Sequence, residues 1–308
     1  MKHNERSGLL FALAGFALLS CGDAVVKSMT GLWAPTAIAT TRYVLGAIGL
    51  AALLAQRQGR AGFTVPLPRV QLMRGAAVAM ATVGFFSAIF VMPLSEATSI
   101  TFTSPMITAL LAALFLGEPA RRETWIASLV AFAGVLVVLR PNFAVLGWAA
   151  LLPLLSAVGM SLLMIGNRAS AGKATPLAMQ FLVAAMASPL LIVATLAGHF
   201  SGIARFAVHW PQWSVVARCA LVACSASFAH WFIYMGTTRA GAASIAPMTY
   251  VQLVVALVLG WLLFGDVPDA VAMLGAAVIV AAGLYLWWAG RSRAVQPPIA
   301  NAPDTNAG

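Results

Sequence analysis

Few polar side chains interrupt the apolar runs of this sequence, so each one is a candidate for chemistry. Asp23 and Lys27 stand four apart in the first run. On a helix they share a face and can pair. Arg42 lies about eight residues, or roughly 12 Å, into the next run, near the level of Asp23. A carboxylate between two cations has two readings, a clamp that neutralises itself or an anion-attracting, proton-linked site on a cavity. Further along, His230 is followed by Trp231 and, at i+4, by Tyr234, and Tyr250 and Gln252 precede a long apolar run. A few such donors among apolar walls suit the orientation of a small organic molecule. The candidate binding set is therefore Asp23, Lys27, Arg42, His230, Tyr250 and Gln252. A lone His more commonly bonds a neighbouring helix. Phe85, Phe86 and Phe90 fit the cavity wall or plain packing.

The elements holding these residues follow from composition. Of 308 residues, 61% are hydrophobic and 8% charged, far from the quarter or so of charged residues in soluble domains. So much apolar surface needs a bilayer as its solvent, where a central Asp, Lys or Arg costs roughly 2.5–3.5 kcal/mol without a partner or cavity. The net charge of +10 would suggest nucleic acid in a soluble protein. Here the basic residues fall between apolar runs, so no nucleic-acid partner is expected. Cys21, Cys219 and Cys224 lie within apolar stretches at no metal-ligand spacing, which argues against disulfides, metal or cofactor. The basic start and Leu18-Leu19-Ser20-Cys21 faintly resemble a signal peptide, but further spans follow and an uncleaved first helix is expected.

Ten segments reach the length of about 20 residues that a crossing helix needs. They are 9–28, 34–55, 73–92, 97–116 and 122–139, then 146–167, 177–197, 213–236, 242–264 and 269–289. With a cytoplasmic start, the inner side collects Lys2, Arg6, Arg57, Arg60, Arg69, Arg74, Arg121, Arg122, Arg168, Lys173, Arg239, Arg291 and Arg293. The outer side collects only Arg140, Arg205 and Arg218. That bias makes both termini cytoplasmic and puts Trp33, Trp210 and Trp213 at the outer interface. Glu96 falls at an outer helix start, where it complements the dipole.

One stretch is stated twice. Ala97-Thr98-Ser99-Ile100 leads to Leu116-Gly117-Glu118-Pro119 and then to Gly134-Val135; Ala242-Ala243-Ser244-Ile245 leads to Phe264-Gly265-Asp266-Val267-Pro268 and then to Gly283-Leu284. A diverged duplication of five helices per half, an odd number, makes the halves inverted. The fold expected is an all-α integral membrane protein of ten helices in two inverted five-helix repeats. Its divisions are a cytoplasmic segment 1–8, repeats 9–141 and 146–289, and a disordered cytoplasmic tail 290–308. Ala127 with Ala131, Ala277 with Ala281, and Gly46 with Gly49 are expected to permit close helix packing. Pro105, Pro153, Pro189 and Pro247 fall inside predicted spans as bends or hinges.

The sequence carries no HExxH, GxSxG, Walker A loop or paired Asp-rich diphosphate motif. Without an ATP-binding segment, a gradient or exchange must drive any pumping. The run from Pro93-Leu94-Ser95-Glu96-Ala97 through Thr103-Ser104-Pro105 and Leu116-Gly117-Glu118-Pro119 to Gly134 and Val138-Leu139-Arg140-Pro141 resembles the EamA type of the drug/metabolite transporter superfamily. Asp23-Ala24-Val25-Val26-Lys27 and Arg42-Tyr43 resemble it too. The likeness covers roughly residues 8 to 290. It implies ten helices in two inverted repeats, a central cavity between them and secondary transport of a small-molecule metabolite across an inner membrane; the coupling species stays open, with Asp23 the first candidate for proton coupling. Asp266 replaces the family's usual Glu, and Leu253 stands where Pro105 aligns, so a symmetric mechanism does not follow. The alternative is a membrane-embedded enzyme on a lipid or isoprenoid, which would need a polar cluster on one membrane side. Membrane lipid is the expected surround, and oligomeric state is not encoded.

Overall fold

Alanine, leucine and valine fill the runs between prolines and glycines, and a chain in hydrocarbon must close its backbone hydrogen bonds internally. The computed structural model is accordingly helical, with no strand among the described residues, which are 2–115, 122–170, 172–240 and 246–294. The helices are α1 (Lys2–Lys27), α2 (Pro35–Gln58), α3 (Pro68–Ile89), α4 (Leu94–Thr101), α5 (Ser104–Phe115) and α6 (Arg122–Leu146). They continue with α7 (Leu152–Ala169), α8 (Pro176–Phe200), α9 (Trp213–Ala240), α10 (Val251–Phe264) and α11 (Ala270–Ala294). Six segments, containing α1, α2, α3, α7, α8 and α9, are long and apolar enough to cross a membrane. Shorter apolar helices run Trp125–Val138, Met248–Phe264 and Ala270–Tyr285. The chain is a multi-pass membrane protein. The Gly117-Glu118-Pro119 hinge, the Ala242–Ile245 start of the second copy and the tail from 295 lie outside the described residues.

The expected span 97–116 is two helices in the structure, broken at Phe102-Thr103. Pro105 is the second residue of α5 and has no N–H to return to Thr101. Upstream, the hydroxyls of Thr98, Ser99 and Thr101 bond the carbonyls four residues back at 2.6–2.9 Å, a bonding that bends helices. Pro153 lies inside the apolar segment Gly147–Ala169 as expected, but at the start of α7 where it breaks no helix, and Pro247 lies in a 3-10 turn, Ala246–Tyr250. Only Pro189 of the four stands mid-helix, in α8.

The principal packed pairs are α1 with α9, α3 with α7, α6 with α11 and α2 with α8. Glycines set the closest crossings, where small residues let backbones approach. A Cβ at Gly15 would stand 2.8 Å from the Ala229 carbonyl oxygen, and one at Gly159 would stand 2.7 Å from that of Ala77. A Cβ at Gly236 would meet the Gly8 carbonyl, and one at Gly84 that of Leu152, both at 2.8 Å. These contacts keep one register. Gly8 and Leu152, like Gly15 and Gly159, are 144 apart, while Ala77 and Ala229, like Gly84 and Gly236, are 152 apart. The α6–α11 crossing is reciprocal, since each of Gly134 and Gly275 abuts the other's carbonyl.

Ala127 and Ala131 are buried as expected, at 1% exposure. Ala277 and Ala281 are exposed. The packing face of α11 is instead Ala272, Gly275, Ile279 and Ala282, because the Gly134–Gly275 contact fixes its rotation. A Cβ at Gly46 would stand 4.0 Å from that of Ala223 on α9, whereas one at Gly49 would meet nothing within 4 Å.

Candidate functional site

A cavity of about 170 Å³ lies among α2, α3, α7, α8 and α9. Two guanidinium groups, Arg42 and Arg74, and His230 line it, with Tyr43, Asn167, Gln180 and Ser227 as neutral polar groups. No Asp or Glu lines it among the described residues. Arg74, Asn167 and Gln180 stand near the ends of α3, α7 and α8 at the face where Gln58 bonds Thr175 at 2.9 Å. Arg42 lies far along α2 from that face, so the cavity extends inward from it. By helix rise the Cα atoms of Arg42 and Arg74 are staggered by roughly 15 Å along the bundle.

Each arginine is held without an ion pair. Arg42 lies over two rings, its Cζ 5.2 Å from the centroid of Tyr43 and 5.4 Å from that of Phe86. Asp23 is within electrostatic reach but not at ion-pair distance. The Tyr43 hydroxyl accepts from Thr82 at 3.1 Å, fixing the ring on which Arg42 lies. Arg74 is 4% exposed. It donates to Asn167 Oδ1 at 2.8 Å, to Gln71 Oε1 and to the Met179 carbonyl at 3.4 Å, all neutral acceptors. Its stem crosses α7 at Gly166, where a Cβ would stand 2.5 Å from Arg74 Cγ. His230 Nδ1 donates to the Ala226 carbonyl at 2.6 Å, so Nε2 is the ring's remaining polar atom.

The opposite face carries an ion pair. Lys27 Nζ donates to Asp266 Oδ2 and, at 3.1 Å, to the Met92 carbonyl, and lies 5.3 Å from the Phe264 centroid. The pair joins the end of α1, the α3–α4 corner and the end of α10. Gly265 puts Asp266 there by ending α10 at φ +67, with the Asp266 amide bonding the Gly260 carbonyl. On the same face Trp33 Nε1 donates to the His209 carbonyl at 2.9 Å.

The structure thus gathers Arg42 and His230 on the cavity, leaves Asp23 off its lining but within electrostatic reach of Arg42, and sends Lys27 to Asp266 instead of Asp23. Tyr250 and Gln252 stand away from the cavity. Tyr250 packs edge-on to Phe102 at 5.5 Å, its hydroxyl filling the space beside Gly283. Gln252 accepts from Ser20 through its backbone carbonyl at 3.0 Å and from Thr249 through its side chain at 3.4 Å. Sequence reasoning counted Arg74 as a loop charge and Asp266 as a hinge residue, and so missed both. The signal for Asp266 was its position, two residues after Phe264 at the end of an apolar run, in a Gly-led turn at the same membrane face as Lys27.

Residues 6–140 match the EamA-like transporter family. A riboflavin transporter of Rhizobium johnstonii is 29% identical over 233 residues, 75% of this chain and 74% of that one. A pseudopaline exporter of Pseudomonas aeruginosa is 27% identical over 91% of this chain and 96% of its own. An S-adenosylmethionine uptake transporter of Rickettsia prowazekii is 22% identical over 91% and 92%. A solved crystal structure superposes with a TM-score of 0.61 at 20% identity over 93% of this chain and 99% of that one, a likeness of fold alone. Residues 6–140 thus carry an EamA-like transporter domain, and the chain as a whole is similar to proteins named as transporters or exporters of small molecules.

Proposed function

We propose that this chain, with its EamA-like transporter domain, is a secondary transporter that moves a small organic metabolite across the inner membrane by alternating access. One observation carries the reading. The cavity enters from the Gln58–Thr175 face, while the Lys27–Asp266 pair closes the other face. The repeated register of glycine crossings supports two five-helix halves, 9–141 and 146–289, inverted about an axis in the membrane plane. Halves of that kind reopen the site on the other side by exchanging conformations. The charge bias of the sequence supports cytoplasmic termini, which makes the face with the cavity the cytoplasmic one.

In this reading Arg42 and His230 touch the substrate. Asp23, facing Arg42, carries the coupling proton where protons drive transport, and Lys27 latches the outer face. Tyr250 and Gln252 belong to the α10 segment that moves when the latch releases. Relatives named for riboflavin, S-adenosylmethionine and pseudopaline support a small-molecule cargo. The test is an unbiased metabolite comparison, inside and outside cells lacking and cells overproducing the protein. A compound moving between compartments in opposite senses in the two strains is the expected result. Chemical conversion without relocation, or no compound changed, overturns the reading. For coupling, Asp23→Asn is expected to fold and to flatten the pH dependence of transport. An unaltered profile in well-folded protein removes Asp23 from that role.

A further inference from the structure

The charge of the cavity is not balanced. Arg42 and Arg74 line it, no carboxylate does among the described residues, and Asp23, within electrostatic reach of Arg42, is not at ion-pair distance from it. A buried guanidinium without a counter-charge is costly, and Arg74, at 4% exposure, meets neutral acceptors only. The register of the glycine crossings sharpens the point. The 144-residue offset that relates Gly15 to Gly159 relates Gly22-Asp23 to Gly166-Asn167. One arginine therefore faces an acid and the other faces its amide counterpart, so the cavity retains positive charge at its mouth.

Planar guanidinium forks match the two oxygens of a carboxylate or phosphate, and both arginines line the cavity, Arg74 with its donors on neutral acceptors that an anion can displace. We propose that the transported substrate is a small organic oxyanion, met first at the mouth by Arg74 and seated deeper by Arg42, with His230 and Ser227 as further polar partners. This rests on the transport reading and adds the charge class of the cargo. The roughly 15 Å stagger makes the arginines successive stations for a small anion rather than one clamp. The rings of Tyr43 and Phe86 hold the Arg42 fork flat for the second of them.

The test is binding to the purified full-length protein in detergent, read as the thermal unfolding midpoint. The probes are succinate and glycerol 3-phosphate, with succinamide and glycerol as their uncharged counterparts. Expected is a rise of about 2–4 °C with at least one anion at a few times its Kd, none with the uncharged compounds, and loss of at least half the rise in Arg42→Gln and in Arg74→Gln. Succinate alone indicates a carboxylate, and glycerol 3-phosphate alone a phosphate. Because a glutamine variant can fail to fold, Arg42→Lys and Arg74→Lys are run beside them and are expected to keep part of the rise. Two inert anions, equal rises with the neutral compounds, or rises that survive both glutamine variants overturn the inference. Binding is measured without transport. A relocated neutral metabolite in the cell comparison would overturn the oxyanion while leaving the transporter standing.

Discussion

Removing the Asp266 charge tests whether the Lys27–Asp266 pair holds one face shut. The side chains are 10% and 22% exposed, so the pair is largely withdrawn from water. Breaking a fully buried pair by deleting one partner costs about 3–5 kcal/mol. Here Lys27 keeps the Met92 carbonyl at 3.1 Å and the Phe264 ring at 5.3 Å, and Asp266 is partly wet, so about 2 kcal/mol is the expected loss for Asp266→Asn. At 1.4 kcal/mol per decade, that is about thirty-fold in the ratio of open to closed. A reporter is available at Ser95, which is 3% exposed at the start of α4, beyond the Met92 corner. Ser95→Cys is made in a background with Cys21, Cys219 and Cys224 changed to Ala, and labelled with a membrane-impermeant maleimide. Labelling should quicken about thirty-fold in Asp266→Asn and comparably in Lys27→Met, and the double variant should be no faster than the faster single. Rates within twofold of the parent in both folded variants, or effects that simply add, would refute the reasoning.

The glycine crossings make two sharper stability predictions. Gly159→Ala and Gly15→Ala put a Cβ within 2.8 Å of a facing backbone carbonyl and should each lower stability in detergent by about 1–3 kcal/mol. Gly49→Ala, with nothing within 4 Å, should be neutral or stabilising by up to about 1 kcal/mol from helix propensity, and three equal losses in denaturation midpoint would show that the crossings are not tight. Gly283→Ala drives its methyl into the Tyr250 hydroxyl and should destabilise. Adding Tyr250→Phe should recover most of that loss, and no recovery in a double-mutant cycle means the hydroxyl is not what occupies the space.

Helix type and approximate limits were legible because apolar length is a strong signal: 213–236 against α9, Trp213–Ala240, and 177–197 against α8, Pro176–Phe200. The break after Thr101 was half legible in Pro105, but a proline alone does not say whether a helix bends or stops. The site was harder. Spacing within one run pairs Asp23 with Lys27, whereas the structure prefers Asp266, 239 residues away from Lys27, because α1 packs against α10. Partners across helices depend on rotation about each axis, which an almost uniformly apolar helix does not reveal. The same limit misdirected the reading of Ala277 and Ala281, on the side of α11 away from Gly134. Arg74 passed for a loop charge because its position at a span boundary is the same whether it turns outward or inward.

The glycine register also has an unequal length. Its two offsets, 144 and 152, leave the second half eight residues longer between its crossing glycines than the first. Part of the surplus lies in the twelve residues from 201 to 212, against nine from 59 to 67 in the first half. That longer link reaches back over the Lys27 face, where the His209 carbonyl takes the Trp33 indole at 2.9 Å and its ring reaches the Leu32 carbonyl at 3.2 Å. In the alternating-access cycle proposed above, identical halves would rest with equal ease in either posture. A strap on one side only would set the idle posture, and work against that bias would have to come from cargo or from whatever drives transport.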